Sequence, residues 1–112
     1  MTIASLSSHV LDLQAGKPVA GLQVTLYSAL AATALATGTT DDDGRVREWS
    51  PSVELIPGVY QLSFETGEWF AARKQATLYP VVHIAFAVSG DQAHYHIPLL
   101  LSPFGYSTYR GS

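Results

Sequence analysis

Cysteine is missing from all 112 residues. Its absence excludes a disulfide framework, a thiolate metal site and a thiol nucleophile, and it fits a reducing compartment. Charge is also scarce: six Lys and Arg against nine Asp and Glu leave a net charge of −3. A chain that bound nucleic acid would need a basic face, so that class of partner is excluded. Long apolar runs are missing too, since Thr or Pro interrupts each well short of the ~20 residues that span a bilayer. The opening MTIASLSSHVLDL lacks a basic n-region, so it reads as mature chain and a cytoplasmic location is expected. With no repeat, low-complexity tract or linker, a single domain over residues 1–112 is expected.

What the chain does have is apolar content, 47% of its residues, enough to build a modest core. Its hydrophobic period is two. In GVYQLSFET, Tyr60, Leu62 and Phe64 alternate with Gln61, Ser63 and Glu65; in LQVTLY, Leu22, Val24 and Leu26 alternate with Gln23, Thr25 and Tyr27. In VVHIAFAV, Val82, Ile84, Phe86 and Val88 make one face, with His83 on the other. Breakers such as Asp43-Gly44, Pro57-Gly58 and Ser89-Gly90 fall between the runs. Seven or eight short strands in an antiparallel sandwich are expected. Residues 66–75, TGEWFAARKQ, depart from this pattern. Thr66 as N-cap, Glu68 in the first turn and Arg73 and Lys74 near the end predict one short helix.

The stretch DQAHYHIPLLLS, read as a strand, puts Tyr95, Ile97, Leu99 and Leu101 on a core face and His94, His96, Pro98 and Leu100 on the other. Two imidazoles beside Pro and Leu suit a surface covered by another chain, with a polar pocket in it. The bland reading, two idle surface histidines, carries about as much weight for an arbitrary His-x-His pair. In SLSSHVLDL, His9 shares its parity with Ser7, Leu11 and Leu13. Metal binding by His94, His96 and His9 is a weak signal, because no Asp or Glu ligand is spaced near the pair. TDDDGR is a poor calcium loop: with Gly44 on the loop glycine, the last position is Ser50 in place of the bidentate Glu. Asp43-Gly44 reads better as a tight hairpin turn presenting Arg45 on the following strand. General acid–base chemistry by His, with Arg holding a carbonyl-rich anion, is the third option. A serine triad has no G-x-S-x-G elbow to support it.

Taken together, LSSHVLDLQAGKPVAGLQVTLY, TDDDGR and HYHIPLLLSPFGYSTYRGS resemble the 5-hydroxyisourate hydrolases, the transthyretin-related proteins of purine breakdown. The resemblance spans nearly the whole chain, and the terminal YRGS is its most specific part, separating hydrolase from hormone carrier. The departures, His83 and Ile97 in place of the commoner Val, fall outside the functional motifs. The resemblance implies a transthyretin-like sandwich of two four-stranded sheets with one short helix. It also implies a homotetramer, a dimer of dimers with active sites at the dimer–dimer interface. Carried over residue by residue, it makes His9, Arg45 and His96 catalytic. His9, Arg45, Tyr109 and Ser112 would bind 5-hydroxyisourate, with His94, Arg110 and Gly111 supporting them. Neither cofactor nor metal is implied. The alternative on the same fold is a carrier of a small aromatic ligand.

Overall fold

A strand that buries every second side chain needs a second layer to bury them against. The computed structural model describes residues 3–30 and 32–112, so Met1 and Thr2 of the opening stretch lie outside the described residues. Its strands are β1 (Ser5–Asp12), β2 (Lys17–Pro18), β3 (Gln23–Ser28), β4 (Ala34–Thr39), β5 (Arg45–Val46), β6 (Gly58–Phe64), β7 (Val82–Val88), β8 (His94–Ser102) and β9 (Gly105–Thr108). One sheet runs β2-β1-β8-β9, with β5 also paired to β1; the other runs β4-β3-β6-β7. Val10, Leu99 and Leu101 from the first sheet meet Val24, Leu62, Phe64 and Val82 from the second, each at most 1% exposed. Full burial of such a side chain contributes about 1.5–3 kcal/mol relative to exposure.

The expected two-sheet sandwich with one short helix is present. It has nine strands among the described residues where seven or eight were expected, because the two-residue strands β2 and β5 both pair with β1 and make the first sheet five-stranded. Two further details depart from the expectation. β1 and β8 run parallel, whereas the other strand pairs are antiparallel. Alternation reports which face a residue occupies and is blind to the direction of its neighbour. The helix α1 (Thr66–Ala72) follows Glu65 as N-cap, with no side-chain capping bond. Thr66 is therefore the first helical residue, and its hydroxyl donates instead to the Tyr79 carbonyl at 2.8 Å. Arg73 and Lys74 fall just past the last turn, and the Arg73 guanidinium lies 3.7 Å above the Trp69 ring. Among the described residues no helix is long and apolar enough to cross a membrane.

β8 divides as its alternation demands. Tyr95, Ile97, Leu99 and Leu101 are buried, His94 is exposed, and His96 and Leu100 are half-buried. Pro98, on the outer face, is buried as well.

Candidate active site

The site is built by register. β1 lies beside β8 with Ser5 opposite His94, Ser7 opposite His96 and His9 opposite Pro98. The remaining edge of β1 is shared: β2 pairs with Leu11 and Asp12, and β5 pairs with Ser8 and His9, setting Arg45 directly opposite His9. Directly opposed residues share a face, so three histidines, two serines and an arginine gather on one outer surface.

The TDDDGR turn does not close the expected hairpin, because β5 finds its ladder partner in β1 and not in β4; the turn aims β5 across the sandwich edge instead. The Asp41 carboxylate accepts from the amides of Asp43 at 2.9 Å and Arg45 at 3.0 Å, and the Gly44 amide donates to the Asp41 carbonyl at 2.8 Å. The bonds to the carboxylate, above all the one from the Arg45 amide, hold the Asp41 carboxyl below its usual range. Gly44 has φ +78°, and a Cβ there would run into the Val10 carbonyl oxygen. Only glycine lets the turn approach β1 this closely.

Each imidazole has defined partners. His9 Nε2 lies 2.8 Å from the Asp43 carbonyl oxygen. A carbonyl only accepts, so Nε2 carries the hydrogen and Nδ1 is the free nitrogen of the neutral ring. Ser7 Oγ sits between two rings, 2.7 Å from His94 Nε2 and 2.7 Å from His96 Nδ1. His96 Nε2 has no hydrogen-bond partner among the described residues. Desolvation, followed by the positive charge of Arg45 and by His9 and His94, lowers the His96 pKa below its ordinary 6.5. The ring therefore stays neutral, with base capacity, at neutral pH. The Arg45 guanidinium makes no hydrogen bond or ion pair among the described residues, whereas Arg47 is tied to Asp41 at 3.3 Å.

A hollow of about 160 Å³ collects these groups, lined by Ser7, Arg45, Arg47, His94, His96 and Ser112 among others. His9 is not in its lining; it lies opposite Arg45, which is. The tail reaches the hollow by continuing the β9 ladder: Leu99 opposes Thr108, and in the same register His96 opposes Gly111. Pro98 has no N–H to give between those points. There the Thr108 hydroxyl donates to the Pro98 carbonyl at 2.6 Å, and beyond it the Gly111 amide donates to the His96 carbonyl at 2.9 Å. A Cβ on Gly111 would collide with the His96 ring.

Of the residues expected in the site, His9, Arg45, His94, His96, Gly111 and Ser112 come together. Tyr109 and Arg110 do not join them within one chain. They border a separate hollow of about 260 Å³ at the open edge between the sheets, with Phe86 and Tyr95. Arg110 is paired there with Asp91 at 3.2 Å and lies over the Tyr95 ring. Sequence reasoning missed Ser5 and Ser7 as histidine partners and Arg47 as a lining residue. The parity shared by Ser5, Ser7 and His9 was the available signal for the serines. Among the described residues no group of three or more His, Cys, Asp or Glu is placed to hold a metal ion.

Known proteins resemble this chain in sequence and in fold. The profile of the HIUase/Transthyretin family matches residues 6–111. A 5-hydroxyisourate hydrolase of Salmonella dublin is 46% identical over 109 residues, covering 96% of this chain and 80% of the relative. The structure of Klebsiella pneumoniae 5-hydroxyisourate hydrolase superposes with a TM-score of 0.86 at 38% identity, over 97% of this chain and all of that one. Transthyretin from Sparus aurata superposes with a TM-score of 0.85 at 26% identity, over 96% of this chain and 97% of its own.

Proposed function

The chain belongs to the HIUase/Transthyretin family, and from that premise we propose that it hydrolyses 5-hydroxyisourate to 2-oxo-4-hydroxy-4-carboxy-5-ureidoimidazoline in urate breakdown. One observation carries the reading: Arg45, whose guanidinium has no hydrogen bond or ion pair among the described residues, and His96, whose Nε2 has no partner among them, line the same hollow. His96 Nε2 takes a proton from water as the water oxygen bonds to a ring carbonyl carbon. Arg45 stabilises the oxyanion that develops on that carbonyl. When the lactam C–N bond breaks, a proton passes to the leaving nitrogen from the His96 imidazolium, with His9 as the second acid–base or donor group. Ser112 hydrogen-bonds the substrate from the tail side. No step needs a cofactor or metal.

The hollow in one chain is smaller than the roughly 300–1,000 Å³ of a usual ligand site, which supports a site completed by assembly. Half-buried Leu100 stands on the same outer face of β8 as His96, and Phe104, in the turn between β8 and β9, has an exposed ring. The assembly proposed is a homotetramer, a dimer of dimers with the sites at the dimer–dimer interface, where Tyr109 would close the pocket. Leu100→Asp would bury a charge there, costing several kcal/mol if unpaired, and light scattering should show a smaller species. The compartment proposed is the cytoplasm.

The test is the ultraviolet absorbance decay of freshly generated 5-hydroxyisourate. Acceleration in proportion to protein is expected. Decay at the spontaneous rate would remove the hydrolase reading and favour a carrier of aromatic ligands.

A further inference from the structure

We propose that a one-way chain of hydrogen bonds, His96 to Ser7 to His94 to Ser5, holds His96 in the tautomer whose Nε2 is bare, and that Ser7, His94 and Ser5 are positioning residues for the base. The inference deepens the hydrolase reading and rests on His96 being the base.

The direction follows from counting hydrogens. Ser5 Oγ lies 3.4 Å from the Ala93 carbonyl oxygen, toward which it donates, and 2.5 Å from His94 Nδ1. Both contacts are used at once only if the Ser5 hydroxyl gives its one hydrogen to the carbonyl and His94 Nδ1 donates to Ser5. In the reverse direction the 3.4 Å contact goes unused and the hydrogen of His96 falls on Nε2, which has no acceptor among the described residues. The other nitrogen of neutral His94, Nε2, is then an acceptor, so Ser7 donates to it. Ser7 has spent its only hydrogen, so His96 Nδ1 must donate to Ser7. Neutral His96 then has one nitrogen left, and Nε2 holds a lone pair. Every link is a side chain on the outer face of β1 or β8, placed by the parallel register that sets Ser5 opposite His94 and Ser7 opposite His96.

The choice of partner matters chemically. The groups around His96 are Ser7 and His9 from β1, Arg45 from β5 and Arg47 just after it, His94 from its own strand, and Gly111 and Ser112 from the tail. No Asp or Glu lines the hollow among the described residues. A carboxylate on Nδ1 would orient the ring but stabilise its protonated form. A hydroxyl fixes the tautomer without that penalty, so the ring stays neutral near Arg45.

The experiment combines nitrogen-15 NMR of the imidazoles at neutral pH with steady-state kinetics on wild type, Ser7→Ala and Ser7→Thr. Wild type should show His96 with hydrogen on Nδ1. Ser7→Ala should shift hydrogen to Nε2 and lower kcat roughly ten- to hundredfold, the usual cost of removing an orienting partner, with KM within about twofold. Ser7→Thr keeps a hydroxyl and should restore the tautomer and most of kcat. Wild-type His96 with hydrogen on Nε2, or Ser7→Ala with unchanged tautomer and kcat, would overturn the proposal. If the tautomer shifts in Ser7→Ala as expected but wild type leaves 5-hydroxyisourate untouched, the hydrogen-bond chain is supported and the reaction assignment is what fails.

Discussion

The outer faces of the two sheets carry the same pair of residues at the same distance. On one, Ser7 Oγ lies 2.7 Å from His96 Nδ1; on the other, Ser63 Oγ lies 2.7 Å from His83 Nδ1. Both pairs are directly opposed residues on neighbouring strands. The second even borders a hollow, about 220 Å³, with Tyr27, Gln61 and Glu65. The surroundings differ. His96 is half-buried, faces two more histidines and an arginine with no hydrogen bond or ion pair among the described residues, and has the tail bonded to its backbone. His83 is exposed, with Gln61 at 3.3 Å as its further partner and no arginine in the lining. A His–Ser bond follows from opposing two such residues on adjacent strands, so it marks no site. A site needs convergence: a base with a free nitrogen, a cation with no partner, and partial exclusion of water.

The largest expected effect would test the active face directly. His96→Ala and His9→Ala should each lower turnover by on the order of a hundredfold or more, the range for losing an acid–base group. Near-normal turnover in both folded variants would erase the distinction between the two faces. Gly111→Ala comes next. Its methyl must displace either the His96 ring or the tail, so turnover should fall about tenfold or more, while circular dichroism shows an intact sandwich.

Acidity should separate the faces by a smaller, graded effect. The folded-state pKa of His96 is lowered, so the acid limb of kcat/KM should lie below the ordinary 6.5. Activity should be lost as pH falls through the folded value and His96 becomes imidazolium. Stability has the matching sign. Below about 6.5 the unfolded chain protonates this histidine before the folded one does, so stability falls until the folded ring titrates too. A pH–rate profile on wild type, with an acid limb above 6.5, would contradict this. The smallest effect belongs to the other sheet. His83→Ala should leave turnover within about twofold, and a large loss in steady-state kinetics would mean that the working face has been misassigned.

Much of this contrast is legible in the sequence. The outer position of His94 and His96, the shared parity of Ser7 and His9, and the Asp43-Gly44 turn ahead of Arg45 all follow from short-range spacing. The tail is legible in part. Ser112 reaches the hollow and Gly111 seats His96, but Tyr109 and Arg110 border a different cleft, because the position of a chain end depends on what it pairs with. The expected N-cap at Thr66 fails for a related reason, since a distant carbonyl, that of Tyr79, takes its hydroxyl.

The sequence by itself determined the longer strands and their inward and outward faces, because alternation acts between residues a few positions apart. Only the tertiary structure decided that β8 lies parallel to β1, that Ser7 falls opposite His96, and that Arg45 falls opposite His9. Those pairings join residues as far as 89 positions apart, and a shift of one residue in either strand would turn every side chain to the opposite face. The packed core selects that register, and the register assembles the site.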